Sequence, residues 1–384
     1  MTAHIDTTSA AALLADMVRI PSVTPRDGHA PAERDLAAFV AGRLERAGLE
    51  VAVEDVVDGR SNVVARLAGR DRSRTLLLES HMDTVEADAM TVDAFGAEVR
   101  GGRLYGRGSC DAKGCLAAFM LALEARVASG AAPPVDVALA AVMDEEHRHR
   151  GVLHLLEGGP PFAGAVVGEP TELRLVVAHK GCVRFEVRTL GRGAHTSQPA
   201  DGDNAIRRMA DVIRFVEDDM AADLAGAGHP LVGPPTICAV MVRGGAGINI
   251  VPPDCTLSID RRVIPGEDPD RVFARCRAAI EALDPDRIEV LPPMVTAHAL
   301  TPPPDGAEVV AALASALGAA GLEAAPCGVN YGSDASSIAA AGIPAVVFGP
   351  GTIADAHQPD ESVELAQVAA AATVVADLID RFGT

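Results

Sequence analysis

Four apolar runs of strand length, Leu76 to Leu78, Val135 to Met143, Ala165 to Val167 and Ala345 to Phe348, constrain this chain more than any other feature. Runs this short, bounded by polar, Gly or Pro residues, read as buried strands. Chemistry begins at once where three of them end: His81 and Asp83 follow the first, Asp144, Glu145 and Glu146 the second, and Glu169 the third. Between the first two runs, Leu116, Phe119, Met120, Leu123 and Val127 recur with the spacing of one helix face. That alternation of strand, helix and strand predicts an α/β class, a sheet with helical cover. Ligands of open α/β sheets bind beyond the carboxyl ends of the strands, so the histidine and the acids are expected to converge on one crevice.

At 384 residues the chain is too long for one ordinary core, and two domains are expected. Two helices open it: Leu13, Leu14, Met17 and Val18 recur after Ser9, a candidate N-cap, until Pro21, and Leu36, Phe39, Val40 and Leu44 repeat the pattern before Gly48. The character changes near Val176. There Val183, Phe185 and Val187 alternate with Arg184, Glu186 and Arg188 as in a strand with one wet face. A helix (Ile206, Met209, Ile213, Val216), two strands (Thr236 to Val242; Cys255, Leu257, Ile259), a helix from Asp268-Pro269 and a strand (Ile288 to Leu291) follow. This β-α-β-β-α-β order is the ferredoxin-like arrangement. Pro292-Pro293 marks the return to the first domain, so the expected division is 1–177 with 293–384 around an insert at 178–292.

The formal net charge of -20, with no Lys/Arg run interleaved with aromatics, argues against nucleic acid as a partner. No uninterrupted apolar segment is long enough to span a membrane, and the N-terminus lacks a basic start followed by an apolar run. The seven cysteines are odd in number, dispersed and never in a C-x-x-C pair, which suggests neither a disulfide framework nor a thiolate zinc knot. A reducing compartment, the cytoplasm, is the expectation. Histidine and carboxylate without thiolate suit zinc, with manganese or cobalt as substitutes, and a bridging carboxylate can hold two ions. Taken singly, His81-x-Asp83 reads first as an ordinary strand end and Glu145-Glu146 as a solvated turn, and Gly106-Arg107-Gly108 before Asp111 reads equally as a helix-entry loop. Their joint order along the chain favours the metal centre, because divalent cations let crowded acids ionise.

Ser80-His81-Met82-Asp83-Thr84-Val85, Tyr105-Gly106-Arg107-Gly108 with Asp111 and Lys113-Gly114, Asp144-Glu145-Glu146, Gly168-Glu169-Pro170-Thr171 and Ala356-His357-Gln358-Pro359-Asp360-Glu361 together resemble the acetylornithine deacetylase, succinyl-diaminopimelate desuccinylase and glutamate carboxypeptidase family of dinuclear zinc hydrolases. The resemblance runs nearly end to end. It implies a zinc-peptidase-like catalytic domain and an inserted lid and dimerisation domain. It implies that Asp111 bridges two zinc ions, with His81 and Glu169 completing one site and Glu146 and His357 the other. Asp83 would accept the ring N–H of His81. Glu145 would be the catalytic base, taking a proton from the attacking water and passing it to the leaving nitrogen.

Within the insert, Gly191-Arg192-Gly193-Ala194-His195-Thr196-Ser197 resembles the loop whose histidine reaches across a dimer interface, so His195 would stabilise the oxyanion in the partner's site. Asn249 and Arg262 match substrate-binding positions, the guanidinium clamping an α-carboxylate, and Gly332-Ser333 match positions that lend donors. The implied activity is removal of an acyl group, acetyl, succinyl or similar, from an N-acyl amino acid. A dipeptidase, carboxypeptidase or aminoacylase with the same centre is the alternative, and a non-catalytic relative the remote one. The motifs look closest to acetylornithine deacetylase, while Tyr331-Gly332-Ser333-Asp334 leans toward the carboxypeptidase branch. His147-Arg148-His149-Arg150 departs from the family pattern and reads as a solvated turn or as a contact for an acidic acyl group. Cys110, beside Asp111, is assigned to packing.

Overall fold

The computed structural model describes residues 5–24, 33–57, 59–158, 162–226 and 228–384. The chain divides into two compact units, Met1–Val177 with Pro303–Cys327 and Ser333–Thr384, and Ala178–Pro302 with Gly328–Gly332. In the first unit the sheet runs Glu50–Val57, Arg60–Leu67, Val135–Val142, Asp71–His81, Phe162–Val167, Ala345–Val347, with the last four strands parallel. Leu76, Leu77 and Leu78 are all fully buried, so both faces of the central strand are covered, which is why it reads as a continuous apolar run. Leu78 lies opposite Leu139 and Val166, His81 opposite Val142, and Val347 opposite Val167. Four carboxyl ends therefore finish at nearly one level, and the polar residues that follow share one edge.

Helices cover this sheet. In Lys113–Ala128 the expected stripe of Leu116, Phe119, Met120 and Leu123 is buried, but so are Ala117, Ala118 and Ala122 on the other faces. The helix lies against the central strand and against helices Thr7–Val18 and Leu365–Arg381, and its alanines permit that close approach. The first helix starts at Thr7, not after Ser9. Asp6 is its cap and accepts the Ser9 N–H at 2.7 Å, because a carboxylate both satisfies a free donor and places negative charge at the helix N-terminus. A small antiparallel sheet pairs Ser362–Glu364 with Arg103–Tyr105 and so brings Glu361 beside the loop that carries Asp111.

The second unit has the ferredoxin-like order: strands Thr236–Gly244, Asp254–Val263, Gly181–Leu190 and Ile288–Val290 lie side by side, each antiparallel to its neighbour. Phe185, Val187, Leu257 and Ile259 pack with Met209 and Val212 of helix Ala205–Arg214 and with Val272 and Ile280 of helix Pro269–Glu281. Both helices begin on side-chain caps, Asn204 accepting the Arg207 N–H and Asp268 that of Arg271, the latter with proline in the first turn. No described helix is long and apolar enough to cross a membrane.

Candidate metal centre

Each ligand candidate leaves a regular element at the sheet's carboxyl edge. His81 ends its strand, Glu145 and Glu146 follow Val135–Val142, Glu169 follows Phe162–Val167, His357 lies in the loop after Ala345–Val347, and Asp111 precedes helix Lys113–Ala128. Gly168 is required beside Glu169, since a Cβ there would lie 2.9 to 3.0 Å from atoms of Cys115, Phe119 and Ser80. Asp144 and His357 hold left-handed backbone, φ 68° and 61°, a strained conformation for these residues that clusters at functional sites.

The five side chains form one chain of contacts. Glu169 Oε1 lies 3.9 Å from His81 Nε2, which lies 3.0 Å from Asp111 Oδ1. The other oxygen of Asp111 lies 3.2 Å from His357 Nε2, which is 2.9 Å from Glu146 Oε1. One carboxylate thus faces a different imidazole with each oxygen. Glu145 offers an oxygen within 4.8 Å of donor atoms of His81 and Glu169.

Around them stands a layer of buried polar groups. His81 Nδ1 donates to the main-chain carbonyl of Asp83 at 2.9 Å, while the Asp83 carboxylate is 3.7 Å away. This corrects the expectation that the carboxylate takes the ring proton. The carboxylate is already engaged, accepting the N–H groups of Glu145 and Glu146 at 3.0 and 3.1 Å and the Thr24 hydroxyl at 2.8 Å. The carbonyl still fixes the tautomer that leaves Nε2 free, and Asp83 orients the acid pair. Glu361 Oε1 accepts the N–H groups of Cys110 and Asp111, and its other oxygen takes Arg107 Nη1 at 2.5 Å. Asp144, before the acid pair, is gripped by Arg60 and Arg150.

The charges respond to this crowding. Burial works against ionisation of Asp111, yet hydrogen bonds from His357 and His81 outweigh it and hold its carboxyl below the usual range. Bonds to Asp111 and Glu146 push His357 up to about 10. Burial disfavours the charged form of His81, but Asp111 and Asp83 overcome it and raise the group. Burial, then the charge of Asp111, raises Glu169 and Glu146, and burial lifts Glu145 to about 8. Three buried acids pushed toward their neutral form beside two imidazoles pushed toward their charged form describe a site that favours added positive charge. Two imidazoles and three carboxylates, without thiolate, are a donor set that suits a pair of divalent cations. Cys110 is buried and its thiol is pushed up by burial and by Asp111, in keeping with packing.

His195, Asn249, Arg262 and Gly332 belong to the second unit and Ser333 to the first. His195 and Asn249 sit on adjoining loops joined by the Thr196 N–H to the Asn249 carbonyl at 3.1 Å. Nδ1 of His195 is 2.7 Å from the Ser197 hydroxyl, and Arg262 Nε is 2.8 Å from Asp260. Ser333 is buried and its hydroxyl accepts the Ala335 N–H. The solvated-turn reading of His147 to Arg150 needs correction. Arg150 turns inward to Asp144 and His149 to Asp334, leaving Arg148 exposed, because buried acids nearby offer stronger partners than water does. Sequence reasoning assigned no role to Glu361 or to the pairing of His149 with Asp334, nor to Glu79, which is buried in the strand that ends at His81. An acid interrupting the apolar run after Leu78 was the available signal for Glu79.

Residues 77–381 match the model of peptidase family M20/M25/M40. The chain is 33% identical to an acetylornithine deacetylase of Myxococcus xanthus, over 90% of this chain and 92% of that one. In fold it is similar to a tripeptidase of Staphylococcus aureus, with a TM-score of 0.82 at 21% identity over 99% of this chain and 100% of that one. It is equally similar to an M20 family metallo-carboxypeptidase of Sulfolobus solfataricus, with a TM-score of 0.82 at 18% identity over 97% and 99%. The strand-end cluster thus stands in a chain that belongs to peptidase family M20/M25/M40.

Proposed function

We propose that this chain is a metal-dependent amide hydrolase that removes the acyl group from an N-acyl amino acid. The observation that carries the reading is Asp111, whose two oxygens face His81 and His357 separately. His81, Asp111 and Glu169 would hold one divalent ion and Asp111, Glu146 and His357 the other, with zinc the expected metal and cobalt or manganese as substitutes. Such a pair of ions supplies Lewis acidity to the scissile carbonyl and lowers the pKa of water. Glu145, beside the ligands but outside the chain of contacts, takes the proton from the attacking water and returns it to the leaving nitrogen. Asp83 holds the backbone of Glu145 and Glu146 in place for this.

A cavity of about 540 Å³ opens on Glu146 and His357 and is also lined by Glu86, Asp88, Arg107 and His147. The acetylornithine deacetylase name of the Myxococcus relative favours an acylated basic amino acid as substrate. In this reading Arg262 and Asn249 receive the α-carboxylate, Gly332 and Ser333 lend donors, and His195 polarises the carbonyl from the partner of a homodimer. The strand Thr236–Gly244 supports self-association. It is an edge strand with Val240, Met241 and Val242 each at least half exposed, which suits pairing with a second copy. All seven cysteines are free, in line with a cytoplasmic setting.

The test is a panel of N-acetyl, N-succinyl and N-formyl amino acids beside dipeptides, assayed with added zinc or cobalt. Preference for an acylated basic amino acid supports the reading. Turnover of dipeptides alone would move the enzyme to the peptidase branch.

A further inference from the structure

The turn after the acid pair brings one of its histidines against the proposed base. His149 has left-handed backbone, φ 56°, and its N–H closes the turn on the Asp144 carbonyl at 2.8 Å. A residue other than glycine keeps that conformation where its surroundings enforce it. The result is the placement of the ring: Nδ1 lies 2.7 Å from Asp334 Oδ1 and 3.8 Å from Glu145 Oε1. Asp334 is 1% exposed, and its second oxygen has no hydrogen-bond partner among the described residues. It is a buried acid whose side-chain bond goes to this imidazole. Glu145 therefore stands between two sets of side chains, His81 and Glu169 in one and His149 and Asp334 in the other.

We propose that His149, anchored by Asp334, is a positioning residue for Glu145. At 3.8 Å the separation is too long for a hydrogen bond, so the ring restricts the direction of the Glu145 carboxyl by proximity without occupying its lone pairs. A base misdirected by about an ångström loses rate while substrate affinity is kept. The proposal rests on reading Glu145 as the base.

The experiment uses the full metal-loaded chain and the best substrate of the panel, comparing His149→Ala, His149→Gln and Asp334→Asn with the unaltered enzyme. Expected are a fall in kcat of about ten- to a hundredfold, KM within about twofold, and partial recovery in His149→Gln. Metal content by mass spectrometry stays at the unaltered enzyme's value. In metal-free protein, the ring nitrogen resonances of His149 shift in Asp334→Asn, a readout that needs no turnover. The deciding comparison repeats His149→Ala in a Glu145→Gln background, where it should cost nothing more. An equal loss in both backgrounds, a change confined to KM, loss of metal, or an unmoved His149 resonance overturns the proposal. Should Asp334→Asn not fold, the His149 variants and their cycle with Glu145→Gln still decide. Full turnover by Glu145→Gln alone would sink the reading of the base, whereas an additive cycle with Glu145→Gln inactive sinks the positioning role alone.

Discussion

The two sides of Asp111 are built differently. On one side His81 and Glu169 are 1% and 4% exposed and continue directly from parallel strands. On the other, the side chain of His357 is 45% exposed and rises from a left-handed loop residue to meet Glu146. The cavity touches Glu146 and His357 but neither His81 nor Glu169. On the proposed reading Asp111 would join a buried half to a more open half that faces the cavity. The difference teaches that the sheet edge fixes half of the centre, while loops complete it where access is needed.

Replacing Asp111 has the largest expected effect. Asp111→Asn should lose both ions and lower kcat/KM by more than about a thousandfold, measured by metal analysis and steady-state kinetics together. The asymmetry itself is sharpened by His81→Ala against His357→Ala. After dialysis against a mild chelator, His357→Ala should retain one ion per chain and His81→Ala less, with metal affinity reduced about ten- to a hundredfold. Equal loss from both would erase the distinction between the halves.

Arg107→Ala should cost about 3 to 5 kcal/mol in urea melts of metal-free protein, because it strands Glu361 as an unpaired buried charge. A cost below about 1 kcal/mol would mean that Glu361 finds another partner. The smallest effect concerns pH. His357 is raised from 6.5 to about 10 by Asp111 and Glu146, so in metal-free protein its contribution to stability is complete below 6.5 and lost as pH rises through about 10. Urea melts across that window should show a smaller loss in His357→Gln than in the unaltered chain.

What the sequence revealed follows from period and position. Strand ends are marked by a switch from apolar to charged residues, so the convergence of His81, Glu146 and Glu169 was readable before the fold. The alternation through Val183, Phe185 and Val187 likewise set the order of the insert. Pairings across long separations left no such mark. His149 and Asp334 lie 185 positions apart, and no periodicity joins them. Asp83 was placed beside His81 correctly but bonded wrongly, because sequence names a neighbour without saying which of its oxygens is already taken. Helix Lys113–Ala128 hid its burial on every face as far as Leu123 for a related reason, since alanine reads as neutral on any face.

Titration of metal-free protein with a divalent zinc or cobalt salt, followed calorimetrically, tests the central claim most directly. The account predicts two ions per chain bound with unequal affinity, the weaker step abolished in His357→Ala and both steps abolished in Asp111→Asn. A single ion per chain, or two ions still bound by Asp111→Asn, would contradict it.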